Sequence, residues 1–404
     1  MPPNAQTSSP SFASALSTEQ DLDAALHAVS SRAITQLATN PDLAFVFVST
    51  DRINRADYIA KTLTRLLNTA CLVGCVATSV IGTGAEIQAS PALSVWLAKL
   101  PTTQVLPMHL TFEATADGNE ILGWPDELVE SWPDGSALIV LGEPYSFPAE
   151  SLLEHVDTRF PGCCVVGGMA SADHQPGEKT LLWGTRAISH GAVCVWLSGN
   201  PRVHPVVSQG CRPIGEPFVV TQSEGNIIQE LGGQVAMEQF RKIFETLPNS
   251  DKELVHRGLH IGRVVSEYQS QREQGDFLVR NVTGVDSKTG ALTVGDYFRR
   301  GQTVQFHIRD QVTADGEMRQ LLSEVAQLEQ EPLAGLLFSC SGRGTRLFDV
   351  NDHDAGLIAE HLGDIPLAGF FAAGEIGPVG SQNFLHGLTA SLAVFMQEAA
   401  VGRR

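Results

Sequence analysis

Along the chain, short uninterrupted apolar runs alternate with longer stretches in which apolar residues recur at helical spacing. Continuous apolar runs bounded by Gly, Pro and Ser read as buried strands and the longer stretches as amphipathic helices, which predicts a mixed α/β chain. Three runs, AFVFVST (44–50), ALIVLGEP (137–144) and AGLLFSCSG (334–342), each end in small or polar residues. Each leads to a predicted helix, RADYIAKTLTRLLN, PAESLLEHVDTRF or DHDAGLIAEHLG. A second strand with glycine follows: LVGCVATS, VVGGMASA or LAGFFAAGE. Ser49 to Gly74 and Gly142 to Gly167 are both 25 positions, and Ser339 to Gly369 is 30. A third strand closes each copy, ALSVWLAKL (92–100), SHGAVCVWLSG (189–199) and LHGLTASLAVF (385–395), the last two opening on His-Gly at His190 and His386. Order and spacing together predict a threefold recurrence of a strand–helix–strand–Gly–strand unit.

Glycines at strand ends allow close approach of a backbone or a ligand, and α/β sheets bind ligands outside the carboxyl ends of their strands. The tips carrying Ser49, Gly74, Gly167, Cys340 and Gly374 are therefore the first places to expect a site. The segment between the second and third copies is strand-rich: 203–221 and 259–310 read as strands. A helix over 233–247 carries an apolar stripe at Val235, Phe240, Ile243 and Phe244, and a long helix covers 313–329. A domain boundary is expected near 230–250.

Composition narrows the function. With 27 Lys and Arg against 45 Asp and Glu, the net charge of −18 repels phosphate backbones and argues against a nucleic-acid surface. Only 18% of residues are charged and 43% are hydrophobic, enough to build buried cores. No apolar run is long enough to span a membrane. The first residues lack the basic and apolar segments of a secretory signal, so they read as a loose tail and the protein as cytoplasmic. The seven cysteines form no CxxC pair, and most read as reduced core thiols.

The densest polar cluster is SCSGRGTR, from Ser339 to Arg346. Gly342 and Gly344 permit a tight turn whose N–H groups are placed to hold an anion, helped by Arg343 or Arg346. Cys340 there is a candidate reactive thiol; the alternative is a packed turn with an inert one. In GEIGPVGSQNFLHG, Glu375 follows a buried strand, a costly position for a carboxylate without a partner. Arg343 is the natural one, in a salt bridge, and His386 reads as a core histidine. GTGAEI (82–87) lacks the third glycine of a dinucleotide loop, and neither a P-loop nor a GxSxG elbow is present. Asp352, His353, Asp354 and His361 read as a solvated helix face rather than metal ligands, and no cofactor is implied.

These clusters carry a resemblance. Through VGCVATSVIGTGAEI, VVGGMAS, SHGAVCVWLSG and VSQGCRPIGEPFVVTQSEGNIIQEL, and then LLFSCSGRGTRLF and PLAGFFAAGEIGPVG…LHG, the chain resembles the FIST family, a two-part module of prokaryotic signalling proteins also found in eukaryotic F-box proteins. The resemblance implies two layered sheet-and-helix domains, FIST N-terminal (31–235) and FIST C-terminal (236–404), after a tail over 1–30. It implies a sensory protein for a small, amino acid-like ligand, with no established catalytic residues. Many members carry an output domain; after the last strand only MQEAAVGRR remains here, so the reading is a stand-alone form signalling through a protein partner. The pocket is expected near the domain junction, with Cys340, Ser341, Gly342, Arg343, Gly344, Arg346, Gly374, Glu375 and His386 on one side. Gly74, Cys75, Gly167 and Gly168 form the other, and Arg343 takes the ligand carboxylate while Glu375 takes its ammonium. The rivals are an enzyme using Cys340 as nucleophile for amide or thioester chemistry and an interaction scaffold.

Overall fold

The computed structural model describes residues 9–115, 118–128, 132–172, 175–265 and 274–397. The three runs read as buried strands form at Leu43–Ser49, Ala137–Gly142 and Pro332–Cys340. Each pairs in parallel with the strand beyond its helix: Leu72–Ala77, Cys164–Met169 and Leu367–Ala372. Central parallel strands are covered on both faces, which is why their apolar residues run consecutively. The helices are α1 (Leu22–Leu37), α2 (Ala56–Leu67), α3 (Ala149–Arg159), α4 (Ala236–Thr246), α5 (Asn249–Arg257), α6 (Gln311–Ala326) and α7 (His353–Leu362). The mixed α/β class read from the pattern is the observed one.

Each copy of the repeat heads its own sheet. The closing strands, Leu93–Lys99, Ala192–Asn200 and Ala390–Met396, lie antiparallel on the far side of the first strands. Beyond them lie Ser11–Ser17, Thr102–Thr115 and Arg202–Ser208. The hairpin after each second strand leaves its own sheet. Copy one's hairpin (Val80–Gly82, Ala85–Ile87) joins the sheet of copy three. Copy two's (Leu181–Trp183, Arg186–Ile188) joins copy one, and copy three's (Glu375–Val379, Gln382–His386) joins copy two. One hydrogen bond marks each exchange: Val76 N to Thr180 O at 2.7 Å, Met169 N to Gly374 O at 2.8 Å and Phe371 N to Ser79 O at 3.0 Å. The recurrence is thus a cyclic exchange, and no sheet is complete without a neighbouring copy.

The inner faces share one core, including Phe45, Phe47, Trp96, Ile139, Val166, Val195, Phe338, Phe370 and Phe395. Strand alternation sends Ala44, Val46 and Val48 outward with residues of α1 and α2, and Leu138 and Val140 outward with α3. A glycine sits at the same point of every parallel pair. A Cβ on Gly74, Gly167 or Gly369 would lie 1.9 Å from the carbonyl oxygen of Val46, Val140 or Leu337.

The chain forms two compact units that do not follow a single cut. The first runs through Val207, then Arg319–Leu385 and from Thr389 onward; the second is Ser208–Met318 with His386–Leu388. Position 235/236 therefore falls inside the second unit. That unit is a seven-stranded sheet in the order Cys211–Glu224, Thr303–Arg309, His260–Val264, Phe277–Val285, Leu292–Val294, Ile227–Leu231, Gln234–Val235. Its helix α4 buries Phe240 and Ile243 as the stripe predicts, but Val235 precedes the helix and is exposed.

The loose tail over 1–30 needs correcting. Ser11–Ser17 is a strand paired with Leu93–Lys99, and α1 buries Ala25, Leu26 and Val29. The edge strand SFASALS buries Phe12, Ala13, Ala15 and Ser17, and Asp21 caps α1 by accepting the Ala24 N–H at 2.8 Å. Residues 1–8 and 398–404, within the expected tail and terminal segment, lie outside the described residues. Among the described residues, no helix is long and apolar enough to cross a membrane.

Candidate functional site

The repeat supplies an internal comparison of strand ends. The residue ending each first strand or just after it donates its N–H to the residue before the closing strand: Ser49 to Ala92 at 3.1 Å, Glu143 to Gly191 at 2.9 Å and Cys340 to Thr389 at 2.8 Å. Thr389, not Gly387, is thus the counterpart of Gly191, and the shared His-Gly pairs are offset by two residues. His386 is buried and belongs to the second unit. Gly74 and Gly167 lie within strands rather than at tips, and close strand packing accounts for both. Cys75 is a core thiol that burial pushes well above its usual range.

Copy three differs from the others in chemistry. Its turn uses its own N–H groups: Ser341 N donates to Ala372 O at 3.0 Å and Arg343 N to Cys340 O at 2.8 Å. Gly342 N donates to Cys340 Sγ at 3.4 Å. The N–H groups of Ser341, Gly342 and Arg343 are thus taken up by protein acceptors. Gly344 has φ +56°, and a Cβ there would lie 2.6 Å from Gln88 Nε2; Gln88 Oε1 also accepts from Thr345 Oγ1 at 3.1 Å. Arg346 is exposed.

The Arg343 side chain is wholly buried, and its Nε and Nη2 each donate to Asp354 at 2.8 Å. Sequence points to Glu375 for this role; the carboxylate that takes the two hydrogen bonds is Asp354. Ser339 Oγ donates to Asp354 Oδ2 at 2.9 Å, and His353 Nδ1 lies 2.9 Å from Oδ1. His353 stacks on Phe348 with ring centroids 3.3 Å apart, and the Arg343 guanidinium carbon lies 5.3 Å from that ring's centroid. Burial pushes the Asp354 carboxyl up, but the charge and hydrogen bonds of Arg343, with those of His353, outweigh it and hold the carboxyl well below the usual range. The solvated face expected at 352–361 is corrected here: His353 and Asp354 are 8% and 1% exposed, because α7 turns its first residues toward the turn. Among the described residues, no group of three His, Cys, Asp or Glu is placed to hold a metal.

Helix α7 is capped from far away in sequence. Its N-cap Asp352, at φ +57°, makes no side-chain cap bond. Instead Glu86, on the hairpin lent by copy one, accepts the Asp354 and Ala355 N–H groups through Oε1 at 2.8 and 3.0 Å. Asp352 Oδ1 in turn accepts the Glu86 N–H at 2.6 Å. Burial, then the charge of Asp354, raises the Glu86 carboxyl to about 7 against the pull of those N–H groups and Arg343. Glu86 is not among the candidate residues of the sequence, where GTGAEI is a failed dinucleotide loop and part of a family segment. Its one signal is a lone acid between apolar neighbours on a short strand.

Glu375 is fully buried, and its Oε2 accepts the Thr389 N–H at 3.1 Å. The same Thr389 receives the Cys340 N–H through its carbonyl, so its backbone links the two residues. Glu375 pairs with Gly168, where a Cβ would lie 2.9 Å from that of Ala372 and 3.3 Å from Gly374 O. The structure thus gathers Gly168, Gly374, Glu375 and Cys340 around the end of copy three. In the exchanged hairpins of copies one and two, the positions matching Glu375 are the buried Val80 and Leu181. A carboxylate replaces a core hydrophobe in one copy of three.

The paired halves match family models: the FIST N domain over residues 42–234 and the FIST C domain over 236–378. The chain belongs to the FIST family. FIST domains are sensory and signalling domains. The chain is 41% identical over 383 residues to an uncharacterized protein of Mycobacterium tuberculosis, covering 94% of this chain and 98% of the relative. It is 40% identical over 359 residues to an uncharacterized protein of Mycobacterium bovis, covering 89% and 91%. The two family models meet within the second compact unit, so strands assigned to both build its sheet.

Proposed function

We propose that this FIST protein is a cytoplasmic sensor that binds a small, amino acid-like ligand at the end of copy three and signals through a protein partner. The observation that carries the reading is Glu375, a fully buried carboxylate where the other two copies carry Val80 and Leu181. A carboxylate in place of a core hydrophobe, beside a turn ordered by the buried Arg343–Asp354 pair, suits recognition better than stability. Glu375 then meets the ligand's ammonium group, and Arg343 acts by holding the turn through Asp354.

A thermal-shift panel of amino acids, small carboxylates and phosphates tests this. A ligand at about 100 times its dissociation constant adds roughly 2.7 kcal/mol, a shift of a few degrees. The shift is expected in the wild type and lost in Glu375→Gln. A shift retained in that variant moves the site away from Glu375, and silence across the panel favours the scaffold.

One contact favours a second reading. The Gly342 N–H donated to Cys340 Sγ would stabilise a thiolate, as a nucleophile for amide or thioester chemistry requires. Iodoacetamide labelling of Cys340 at pH 6 checks it: fast labelling would carry the enzyme reading, and slow labelling would leave it unsupported.

A further inference from the structure

Glu86 does more than a cap needs. Capping α7 takes one oxygen, Oε1, and a neutral amide oxygen would accept the same two N–H groups. The residue is only 6% exposed, and its other oxygen, Oε2, is buried without a hydrogen-bond partner among the described residues. A buried, unmatched carboxylate oxygen is costly. The charges acting on it are Asp354 at the start of α7 and Arg343 from the turn, with Asp352 bonded to its own N–H and His353 bonded to Asp354. Asp354 already matches Arg343 with two hydrogen bonds. What Glu86 lacks is a donor at Oε2.

We infer that Glu86 is a ligand-binding residue whose Oε2 receives a cationic hydrogen-bond donor, so the ligand of this site carries an ammonium or guanidinium group. The class is basic amino acids and small amines rather than carboxylates or phosphates. The inference rests on the small-ligand reading above and narrows it. An arriving cation supplies the donor that Oε2 lacks. A proton is its competitor: with the Glu86 carboxyl raised to about 7, acid fills the oxygen and alkali frees it. Binding of a cation therefore tightens as pH rises from 6 to 8.

The experiment is calorimetric titration of the full chain with putrescine, L-lysine and succinate at pH 6 and pH 8, on the wild type and on Glu86→Gln. Glutamine keeps the cap and removes the charge. Putrescine or lysine is expected to bind the wild type about tenfold tighter at pH 8 than at pH 6, and to lose about tenfold or more in Glu86→Gln at pH 8. The variant's residual binding should not change with pH. Cation binding unaffected by the substitution, or independent of pH in the wild type, overturns the role of Glu86. Binding of succinate alone overturns the ligand class and leaves the small-ligand reading standing. Silence from all three probes overturns this inference, while the broader amino-acid panel decides the reading beneath it. Should Glu86→Gln fail to fold, the wild-type pH dependence and the choice between putrescine and succinate still decide.

Discussion

Asp354→Ala is expected to destabilise the first unit by about 3–5 kcal/mol, the range for removing one partner of a buried ion pair. Asp354 holds the wholly buried Arg343 guanidinium through two hydrogen bonds and also takes the Ser339 hydroxyl. Without it the guanidinium stays buried and uncompensated, and the turn from Cys340 to Arg346 loses its anchor. Replacing both partners, Arg343→Met with Asp354→Leu, is expected to cost much less, because no charge is stranded. Urea unfolding of the three proteins checks this, and a loss below about 1 kcal/mol for Asp354→Ala would mean the pair does not hold the turn. The carboxylates pull in opposite directions with pH. Asp354, with its folded value below the ordinary 3.8, contributes stability that is present above that value and lost as pH falls through its folded one. Glu86, raised from 4.5 to about 7, contributes stability that is present in acid and lost as pH rises through that window.

Gly369→Ala is expected to cost about 4 kcal/mol or more, in the range where a single named defect dominates. The added Cβ would lie 1.9 Å from the Leu337 carbonyl oxygen, and the obstacle is backbone in a central parallel pair rather than a side chain able to move. Gly74→Ala and Gly167→Ala meet the same obstacle at Val46 and Val140 and should behave alike. Because each sheet takes its outer hairpin from a neighbouring copy, opening one parallel pair weakens two sheets. Gly356→Ala is the control: it lies inside α7 with nothing within 4 Å of the new Cβ. It should be neutral or stabilise by up to about 1 kcal/mol. Melting temperatures of the four variants decide, and a mild effect at Gly369 would remove the close-packing role of the repeat glycine.

The central strands, their helices and their recurrence were legible because a parallel strand buried on both faces must be apolar throughout, and such runs stand out in one dimension. The tail reading failed at Ser11–Ser17, where serines dilute the apolar residues of an edge strand. The His-Gly match between copies two and three shifted by two residues because likeness of letters does not fix register; the hydrogen bonds to Gly191 and Thr389 do.

The sequence by itself determined the fold class, the threefold unit, the family and the candidate standing of Cys340, Arg343 and Glu375. Tertiary structure alone decided which charges meet. Asp354 lies 11 residues beyond Arg343 and Glu86 lies 268 before Asp354, separations that no local pattern encodes. They come together because copy one's hairpin completes copy three's sheet and delivers Glu86 to the first turn of α7. The sequence shows that a buried acid needs a partner. Which partner it finds depends on strand exchange, because hydrogen bonds act over a few ångströms of space and not along the chain.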